Sequence, residues 1–320
     1  MKVLIITTGG TIAEAHDDKE GGATPQVGGK DLINSVPAIK DIASVEVIEF
    51  MNIDSRNVNL QFFQGLTKTI KHSIVRNDII SIIITHGTDT MEQTAYFLQR
   101  AISSKKPIIL TGAMRASDEL SPDGPINIIN SLVQAVDPEA INKGITINFN
   151  GKIHSANFAF KFNSGNVDAF SSGEKGLVGT VINKDIIWYN NPVLPSTIPH
   201  DINNLQNVPI IFCQPGLDYS FLNLKEIKGL IIVGYGCGNV NNETYELAKE
   251  AISMKIVVIL VTMVENGGVF SEYGGIGGVL SMKKLGVITA NELNYWRARL
   301  ALILALSTTS DIDEITYCFN

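Results

Sequence analysis

The chain of 320 residues is 45% hydrophobic and 18% charged, which is ordinary for a folded protein with one large or two smaller domains. Its formal net charge of −7 argues against a nucleic-acid-binding surface, because such surfaces need clustered Lys and Arg. The three cysteines lie far apart and show no metal-ligand spacing. The apolar run 256–261 is too short to span a bilayer, and the first residues lack a leader pattern. We therefore expect a cytoplasmic protein with a small-molecule ligand and no nucleic-acid or membrane partner.

Short apolar, β-branched runs alternate with segments of helical periodicity along the chain. The predicted strands are 3–7, 45–50, 79–85, 107–111, 144–149, 208–213, 229–234 and 256–261. Because these runs are apolar on both faces, they suit the buried strands of a parallel sheet. The helical period recurs over 91–102 and 245–252, and a capping box at 289–292 predicts the start of a last helix. This alternation predicts a doubly wound α/β architecture.

The pattern breaks at residues 191–207, where prolines recur without a helical period. We interpret this segment as a linker between an N-terminal α/β domain, residues 1–190, and a C-terminal α/β domain, residues 208–320. The helix signal is also absent over residues 144–172, and the stretch GKIHSANFAFKFNSG within them predicts a β-hairpin region of the first domain.

Ligands of open α/β sheets bind at the carboxyl ends of the strands, so the turns there are the first candidates for a site. The first strand ends in TTGGTIA, where Gly9 and Gly10 permit a sharp turn and Thr11 follows. A threonine at this place either caps the following turn or acts as a nucleophile. The turn alone favours capping, because threonine caps are common.

The third predicted strand runs into THGTDTMEQTA, in which Thr88, Asp89 and Thr90 open a helix. Only one of these three side chains is needed as a cap, so Asp89 is available for a substrate ammonium and Thr88 for a water molecule. Lys161, between aromatic residues in FKFNSG, is either a snorkelling lysine or a cation near a reacting hydroxyl.

Other polar positions are ordinary by comparison. The stretch GYGCGNVNNE begins like a dinucleotide fingerprint, but Asn239 stands where that fingerprint needs its third glycine. Asp123 precedes Gly-Pro and predicts a helix cap. Four histidines lie in polar segments and are expected to be solvated: His16, His72, His154 and His200.

The motifs TTGGTIA, HGTDTMEQTA, GAMR, SPDGP and NFAFKFNSG, in this order, resemble the bacterial-type asparaginase/glutaminase family from Lys2 to about Leu306. The resemblance implies a two-domain fold with a larger, mostly parallel N-terminal sheet, a β-hairpin and a smaller C-terminal α/β domain. It implies an amidohydrolase that converts L-asparagine to L-aspartate and ammonia, with glutamine or another small amide as the alternative substrate. It also implies a homotetramer built from dimers, without a metal or organic cofactor.

The family's functional residues match positions of this chain one by one. Thr11 matches the nucleophile that forms an acyl-enzyme, and Thr88 matches the second threonine, with Lys161 and Asp89 beside it. By its charge, the Lys161 ammonium favours deprotonation of Thr88 or of a nearby water. Asp89 also matches the acceptor of the substrate ammonium, and Ser55 matches the residue that binds the substrate carboxylate.

Two further matches concern specificity and assembly. Arg56 stands where a neutral glutamine is common, and its permanent charge puts plain asparagine specificity in question. Asn239 matches a position that reaches the site of a neighbouring subunit. The backbone N–H groups around Gly10, Thr11, Thr88 and Asp89 are candidate donors to an oxyanion.

The chain departs from the family in the loop after the first strand, which normally carries a tyrosine that helps to activate the nucleophile. Here the loop reads GGATPQVGG, with Ala23 at the matching position and no tyrosine before Tyr96. Three explanations stay open: Tyr273 of a neighbouring subunit replaces it, Lys161 and Thr88 act as the base throughout, or the natural substrate differs. A non-catalytic amino-acid-binding protein is the rival from another class.

Overall fold

The computed structural model describes residues 1–17, 21–25 and 28–319, with side chains everywhere in these ranges except at 15–17, 22–25 and 32. The expectations for the His16 and Ala23 side chains therefore lie outside the described residues. The chain divides into two compact units, Met1–Thr197 and Ile198–Asn320. Each has its own sheet.

The N-terminal unit contains most of the strands. Its strands are β1 (Lys2–Gly9), β2 (Glu14–Asp17), β3 (Gly22–Pro25), β4 (Val45–Ile53), β5 (Ile79–Thr85), β6 (Ile108–Thr111), β7 (Ile145–Phe149), β8 (Lys152–Ser155), β9 (Phe160–Lys161), β10 (Phe170–Ser171), β11 (Gly179–Ile182) and β12 (Asp185–Trp188). Its α-helices are α1 (Gly29–Asn34), α2 (Leu60–Ile74), α3 (Met91–Ala101) and α4 (Gly124–Val136). Eight strands form one sheet in the order β12-β11-β8-β7-β6-β5-β1-β4. The pairs from β4 to β7 are parallel and those from β7 to β12 antiparallel, which confirms the larger, mostly parallel sheet with a hairpin.

Both faces of the parallel part are covered, as the apolar strand sequences predict. Ile5 and Ile83 pack into one core cluster with Ile128 of α4. Ile6 and Ile84, whose side chains point to the opposite face, are equally inaccessible to solvent. Within this buried region β1 pairs in parallel with β5, so the turns that follow the two strands lie side by side.

The hairpin that ends the parallel part turns at two residues. Asn150 and Gly151 connect β7 to β8 and have φ angles of 50° and 73°. Two consecutive residues with positive φ are typical of the tight hairpin turn that suits an Asn-Gly pair. Further along, β9 pairs antiparallel with β10, and Lys161 stands opposite Phe170.

The C-terminal unit is a smaller α/β unit. Its strands are β13 (Ile210–Phe212), β14 (Gly229–Gly234), β15 (Val257–Thr262) and β16 (Ile288–Thr289), which form a parallel sheet in this order. Its α-helices are α5 (Asn242–Ser253), α6 (Val279–Leu285), α7 (Tyr295–Ala305) and α8 (Ile312–Tyr317). Across the described ranges, every helix falls short of the length and apolarity that crossing a bilayer requires.

The predicted capping box at 289–292 is wrong. Thr289 belongs to β16, where it pairs with Leu260 of β15. The helix α7 begins later, at Tyr295, and the Asn294 side chain caps it by accepting the backbone N–H of Arg297. Strand pairing therefore overrides a local pattern that would have suited a helix start.

Candidate active site

Two glycines bring the turns after β1 and β5 into direct backbone contact. Gly9 and Gly10 have φ angles of 96° and 81°, a region that favours glycine. A Cβ atom built on Gly10 would lie 2.3 Å from both the Cα and the N of Gly87. Since no side chain fits between them, the two threonine-bearing turns meet at one point of the sheet edge.

Thr11 is not the capping residue of its turn. It opens a short 3₁₀ turn, Thr11–Ala13, and Gly10 occupies the capping position without a side-chain bond. The structure therefore leaves the Thr11 oxygen outside any capping role.

Thr88 and Asp89 are also free of capping. Thr90 occupies the cap position of α3, but its hydroxyl donates to the backbone carbonyl of Ser55 at 2.8 Å. The Nζ of Lys161 donates to the Thr88 hydroxyl at 2.9 Å and to the Asp89 carboxylate at 2.7 Å. The Lys161 side chain is only 16% exposed, so it is a cation held against a hydroxyl and not a snorkelling surface lysine.

The position of Lys161 follows from two backbone contacts. Its strand β9 pairs with β10, and its backbone N–H donates to the Glu92 carboxylate of α3. Because α3 also begins directly after Thr88 and Asp89, one helix orients both the lysine and its partners. The Asp89 side chain remains 59% exposed and accessible to a ligand.

Ser55 is buried, and its side chain lies against the backbone of Gly87 in the turn after β5. A Cβ atom on Gly87 would lie 2.5 Å from the Ser55 hydroxyl oxygen. Asp54 caps the 3₁₀ turn Ser55–Asn57 by accepting the Arg56 N–H. The Arg56 guanidinium pairs with the Asp54 carboxylate at 2.8 Å and is 75% exposed. Arg56 thus lies beside Ser55 with its charge partly balanced by Asp54.

His86 is a buried support of this region that the sequence reasoning did not single out. Its Nδ1 lies 2.7 Å from the Gly87 carbonyl and its Nε2 3.0 Å from the Thr94 hydroxyl. Burial lowers the pKa of His86 to about 4. The ring is therefore neutral at pH 7, with Nδ1–H donating to Gly87 and Nε2 accepting from Thr94.

Glu14 is the second residue that the sequence reasoning missed. It is 8% exposed in spite of its charge. Burial raises the pKa of the Glu14 carboxyl and the Asp54 charge raises it further, whereas the polarity of the Thr11 hydroxyl and the charge of Arg56 oppose the rise. Titratable groups with shifted pKa values are concentrated at functional sites.

Two further expectations are corrected by the contacts. Asp123 stands at the capping position of α4 but makes no capping bond, because its carboxylate accepts the N–H groups of Met114 and Arg115. His154 is not solvated: it is buried, and its Nδ1 lies 2.8 Å from the Ser172 hydroxyl.

The structure therefore gathers six sequence-predicted residues in the N-terminal unit: Thr11, Ser55, Arg56, Thr88, Asp89 and Lys161. Asn239 belongs to the C-terminal unit, in the turn after β14. There its amide nitrogen contacts the Cys237 sulfur at 3.4 Å. Its amide oxygen is buried and has no hydrogen-bond partner among the described residues.

Comparison with known proteins agrees with this architecture over the whole chain. Residues 2–194 match the family model "Asparaginase, N-terminal", and residues 207–319 match "Glutaminase/Asparaginase C-terminal domain". L-asparaginase 2 of Bacillus subtilis is 34% identical over 99% of this chain and 86% of its own length, and L-asparaginase 2 of Escherichia coli is 31% identical over 99% and 92%. The crystal structure of a probable cytoplasmic L-asparaginase from Campylobacter jejuni superposes with a TM-score of 0.85 at 36% identity, covering 99% of this chain and 98% of that one. The chain belongs to the asparaginase/glutaminase family.

Proposed function

We propose that the protein hydrolyses the side-chain amide of L-asparagine to L-aspartate and ammonia, through an acyl-enzyme on Thr11. The observation that carries this proposal is the Lys161 ammonium held on Thr88 and Asp89, directly beside the turn of Thr11. The names of the relatives, which are L-asparaginases, point to the same amide.

The substrate carries an ammonium and a carboxylate, and the site offers a partner for each. Asp89 bonds Lys161 through Oδ1 and remains exposed enough to accept the substrate ammonium as well. The buried Ser55 hydroxyl is the donor to the substrate carboxylate, and Arg56 adds a positive charge next to it. With both ends held, the side-chain amide is presented between the two threonine turns.

In the first half-reaction the Thr11 oxygen attacks the amide carbon, and ammonia leaves with the proton that Thr11 gave up. In the second, a water attacks the ester and returns a proton to Thr11. The backbone N–H groups of Thr88 and Asp89 donate to no backbone carbonyl within the described ranges, which suits them as donors to the oxyanion. Lys161 would favour the anionic form of Thr88 or of the attacking water.

We infer a homotetramer built from dimers in the cytoplasm, in which Asn239 reaches the site of a neighbouring subunit. Residues 263–276 of the C-terminal unit carry several large apolar side chains on the surface, among them Phe270, Tyr273 and Ile276. Such a patch is typical of an interface between subunits. The cytoplasmic location is supported by the name of the Campylobacter jejuni protein.

The test is ammonia release from L-asparagine, L-glutamine and their D-forms by the wild type, by Thr11→Ala and by Thr197→Ala. Thr197 is an exposed threonine and provides a matched control. We expect L-asparagine to be turned over and Thr11→Ala to lose at least about 10³-fold in kcat. Ammonia release that survives in Thr11→Ala would overturn the threonine mechanism. Calorimetric binding of L-asparagine without ammonia release would instead indicate the amino-acid-binding protein.

A further inference from the structure

The two-stranded sheet of β9 and β10 carries Lys161 but is separate from the eight-stranded sheet. A ribbon of two strands has little stability of its own, so other contacts must hold it in place. We propose that two residues of β8, Lys152 and His154, are positioning residues for Lys161. They hold the segment 168–172, and this segment sets the Lys161 ammonium against Thr88. This inference rests on the proposed function, since it concerns the cation of that reaction.

The two side chains of β8 contact the chain on either side of β10. The Lys152 Nζ donates to both carboxylate oxygens of Asp168, each at 2.7 Å. The His154 Nδ1 lies 2.8 Å from the Ser172 hydroxyl oxygen, and both of these residues are buried. Since Lys152 and His154 are two residues apart in a strand, they lie on the same face of the sheet. The two contacts therefore attach both ends of β10 to one face of β8.

An aromatic contact lies between these two attachments. The Phe170 ring packs against the Phe149 ring of β7, with the ring centroids 5.0 Å apart. Phe149 is the cross-strand partner of Lys152, and Phe170 is almost completely buried. Asp168, Phe170 and Ser172 alternate along the chain through β10, as residues on one face of a strand do. The segment is thus attached to the main sheet at three points along this face.

Lys161 lies opposite the middle one of these three attachments. It is the antiparallel partner of Phe170, and the side chains of directly opposite residues lie on the same face. The Phe162 N–H donates to the Ala169 carbonyl at 2.9 Å and extends the pairing of the two strands. A shift of β10 on the main sheet would therefore carry β9 with it. Such a shift would move the Lys161 ammonium relative to Thr88, which belongs to the turn after β5.

The ordinary explanation of a buried histidine is a residue that packs in the core. Burial lowers the pKa of His154 to about 4, so its ring is neutral at pH 7. A neutral imidazole still loses its contacts with water on burial, a cost that an apolar side chain of similar size avoids. Within the described ranges Nε2 has no hydrogen-bond partner, and Nδ1 contacts Ser172. The polarity of this ring is therefore used for the attachment of β10.

The experiment compares Ser172→Ala with Ser171→Ala. Because the two serines alternate along the chain, the Ser171 side chain points away from β8, and its hydroxyl oxygen accepts the Gly173 N–H at 3.1 Å. We expect kcat for L-asparagine to fall by about 10- to 100-fold in Ser172→Ala and to change less than about twofold in Ser171→Ala. KM should change little, because Ser55 and Asp89 bind the substrate from other turns. Unchanged melting temperatures establish that both variants are folded.

Two replacements of His154 separate its hydrogen bond from its packing. In His154→Asn the side-chain amide reaches the place of Nδ1 and can donate or accept, so kcat should stay within about fivefold of the wild type. In His154→Leu the space is filled without a polar atom, and kcat should fall about 10- to 100-fold, as in Ser172→Ala. Asp168→Asn should give a smaller loss, because its pair with Lys152 is partly exposed. Asp185→Asn, at an exposed position of β12, is its control.

A double-mutant cycle with Lys161→Met separates positioning from a general structural effect. If the segment acts by placing the Lys161 ammonium, its disturbance has no further effect once that ammonium is removed. Ser172→Ala should therefore change the kcat of Lys161→Met by less than about twofold.

Reductive methylation reports on the Lys161 ammonium without the need for turnover. Formaldehyde and cyanoborohydride methylate accessible lysines, and peptide mass mapping gives the rate at each of them. The Lys161 side chain is 16% exposed and bonded to two groups, whereas Lys184 is exposed and serves as the reference in the same chain. Relative to Lys184, the methylation of Lys161 should accelerate at least about fivefold in Ser172→Ala and in His154→Leu.

The outcomes are distinct. Wild-type turnover in Ser172→Ala overturns the proposal, and so do additive losses of kcat in the double variant, because the segment then acts independently of Lys161. Methylation of Lys161 at the wild-type rate in folded Ser172→Ala and His154→Leu overturns it as well. Faster methylation in these variants, when the wild type releases no ammonia from any amide, supports the positioning of Lys161 while the proposed function fails.

Discussion

The Thr88 hydroxyl of the candidate site is in contact with a cation, since it accepts from the Lys161 ammonium at 2.9 Å. An adjacent cation stabilises a hydroxyl or a water that has lost its proton. Under the proposed mechanism, we therefore expect Lys161 to serve the hydrolysis of the acyl-enzyme, in which a water is the nucleophile.

The variant Lys161→Met tests this expected role. We expect slow steady-state turnover after a burst of about one ammonia per chain, because acylation proceeds while the acyl-enzyme accumulates. Rapid-quench measurement of ammonia detects the burst, and the intact mass of the chain detects the accumulated acyl-enzyme. Lys249→Met, which removes an exposed ion pair with Glu246, is the control and should show ordinary turnover. Absence of the burst would favour Lys161 and Thr88 as the base of both half-reactions.

The buried His86 makes stability depend on pH. Its pKa is about 4 in the folded protein, because of burial, against an ordinary value of 6.5. Between these values the unfolded chain binds the proton and the folded chain does not, so stability falls as the pH falls from 6.5 towards 4. The contribution is about 3 kcal/mol, since one pKa unit corresponds to about 1.4 kcal/mol.

Urea unfolding between pH 4 and pH 7 measures this effect. We expect His86→Gln to reduce the proton uptake on unfolding near pH 5 by about one proton, although the variant is less stable throughout. His72→Gln, at an exposed position of α2, should leave the pH dependence of the wild type in place. If the free energy of unfolding depended on pH identically in His86→Gln and in the wild type, the assignment of this dependence to His86 would be contradicted.

At the scale of elements, the buried parallel strands were predictable from the sequence, because β-branched runs that are apolar on both faces are typical of such strands. The start of α7 was not, because a local capping pattern at 289–292 competes with the pairing of β16 on β15. Glu14 was missed because its burial involves contacts that are distant in sequence. Its backbone carbonyl accepts both the N–H and the hydroxyl of Ser117.

The close approach of the turns after β1 and β5 predicts the effect of added methyl groups. Gly10→Ala would put a Cβ atom 2.3 Å from the backbone of Gly87 and would also strain a backbone at φ 81°. We expect a loss of at least about 2 kcal/mol in the free energy of unfolding and of most activity.

Gly165→Ala is the matched control, because a Cβ atom there meets no atom within 4 Å. Denaturant unfolding and ammonia release give the comparison. Equal stability and activity of the two alanine variants would show that the turns can separate without consequence for the site.

At the scale of the whole molecule, motif order predicted the family and the two α/β units. The residues that a neighbouring subunit would contribute in the proposed tetramer could not be predicted in the same way, because they depend on surfaces that no local pattern defines. Tyr273, a candidate for such a contribution, lies in the C-terminal unit, and its side chain is exposed.

The proposed assembly predicts a sedimenting species of four times 34.7 kDa, about 139 kDa. Ile276→Asp, in the exposed apolar segment 263–276, should shift the population towards dimers or monomers, because a buried unpaired charge opposes association. Lys225→Asp, at an exposed position of the same unit, is the control. Sedimentation of the wild type as a monomer at micromolar concentration would contradict the tetramer.

The anchoring of Glu14 by Ser117 has a consequence for how the protein acquires its reactivity during folding. Thr11 and Glu14 are neighbours in sequence, but Ser117 is 103 residues away from Glu14, and Lys161 is 73 residues away from Thr88. Contacts at such separations form late, because the intervening chain must first lose its freedom. The contacts of Glu14 and Thr88 therefore form only after β1, β5 and β6 have joined into one sheet, so the proposed site is assembled late in folding.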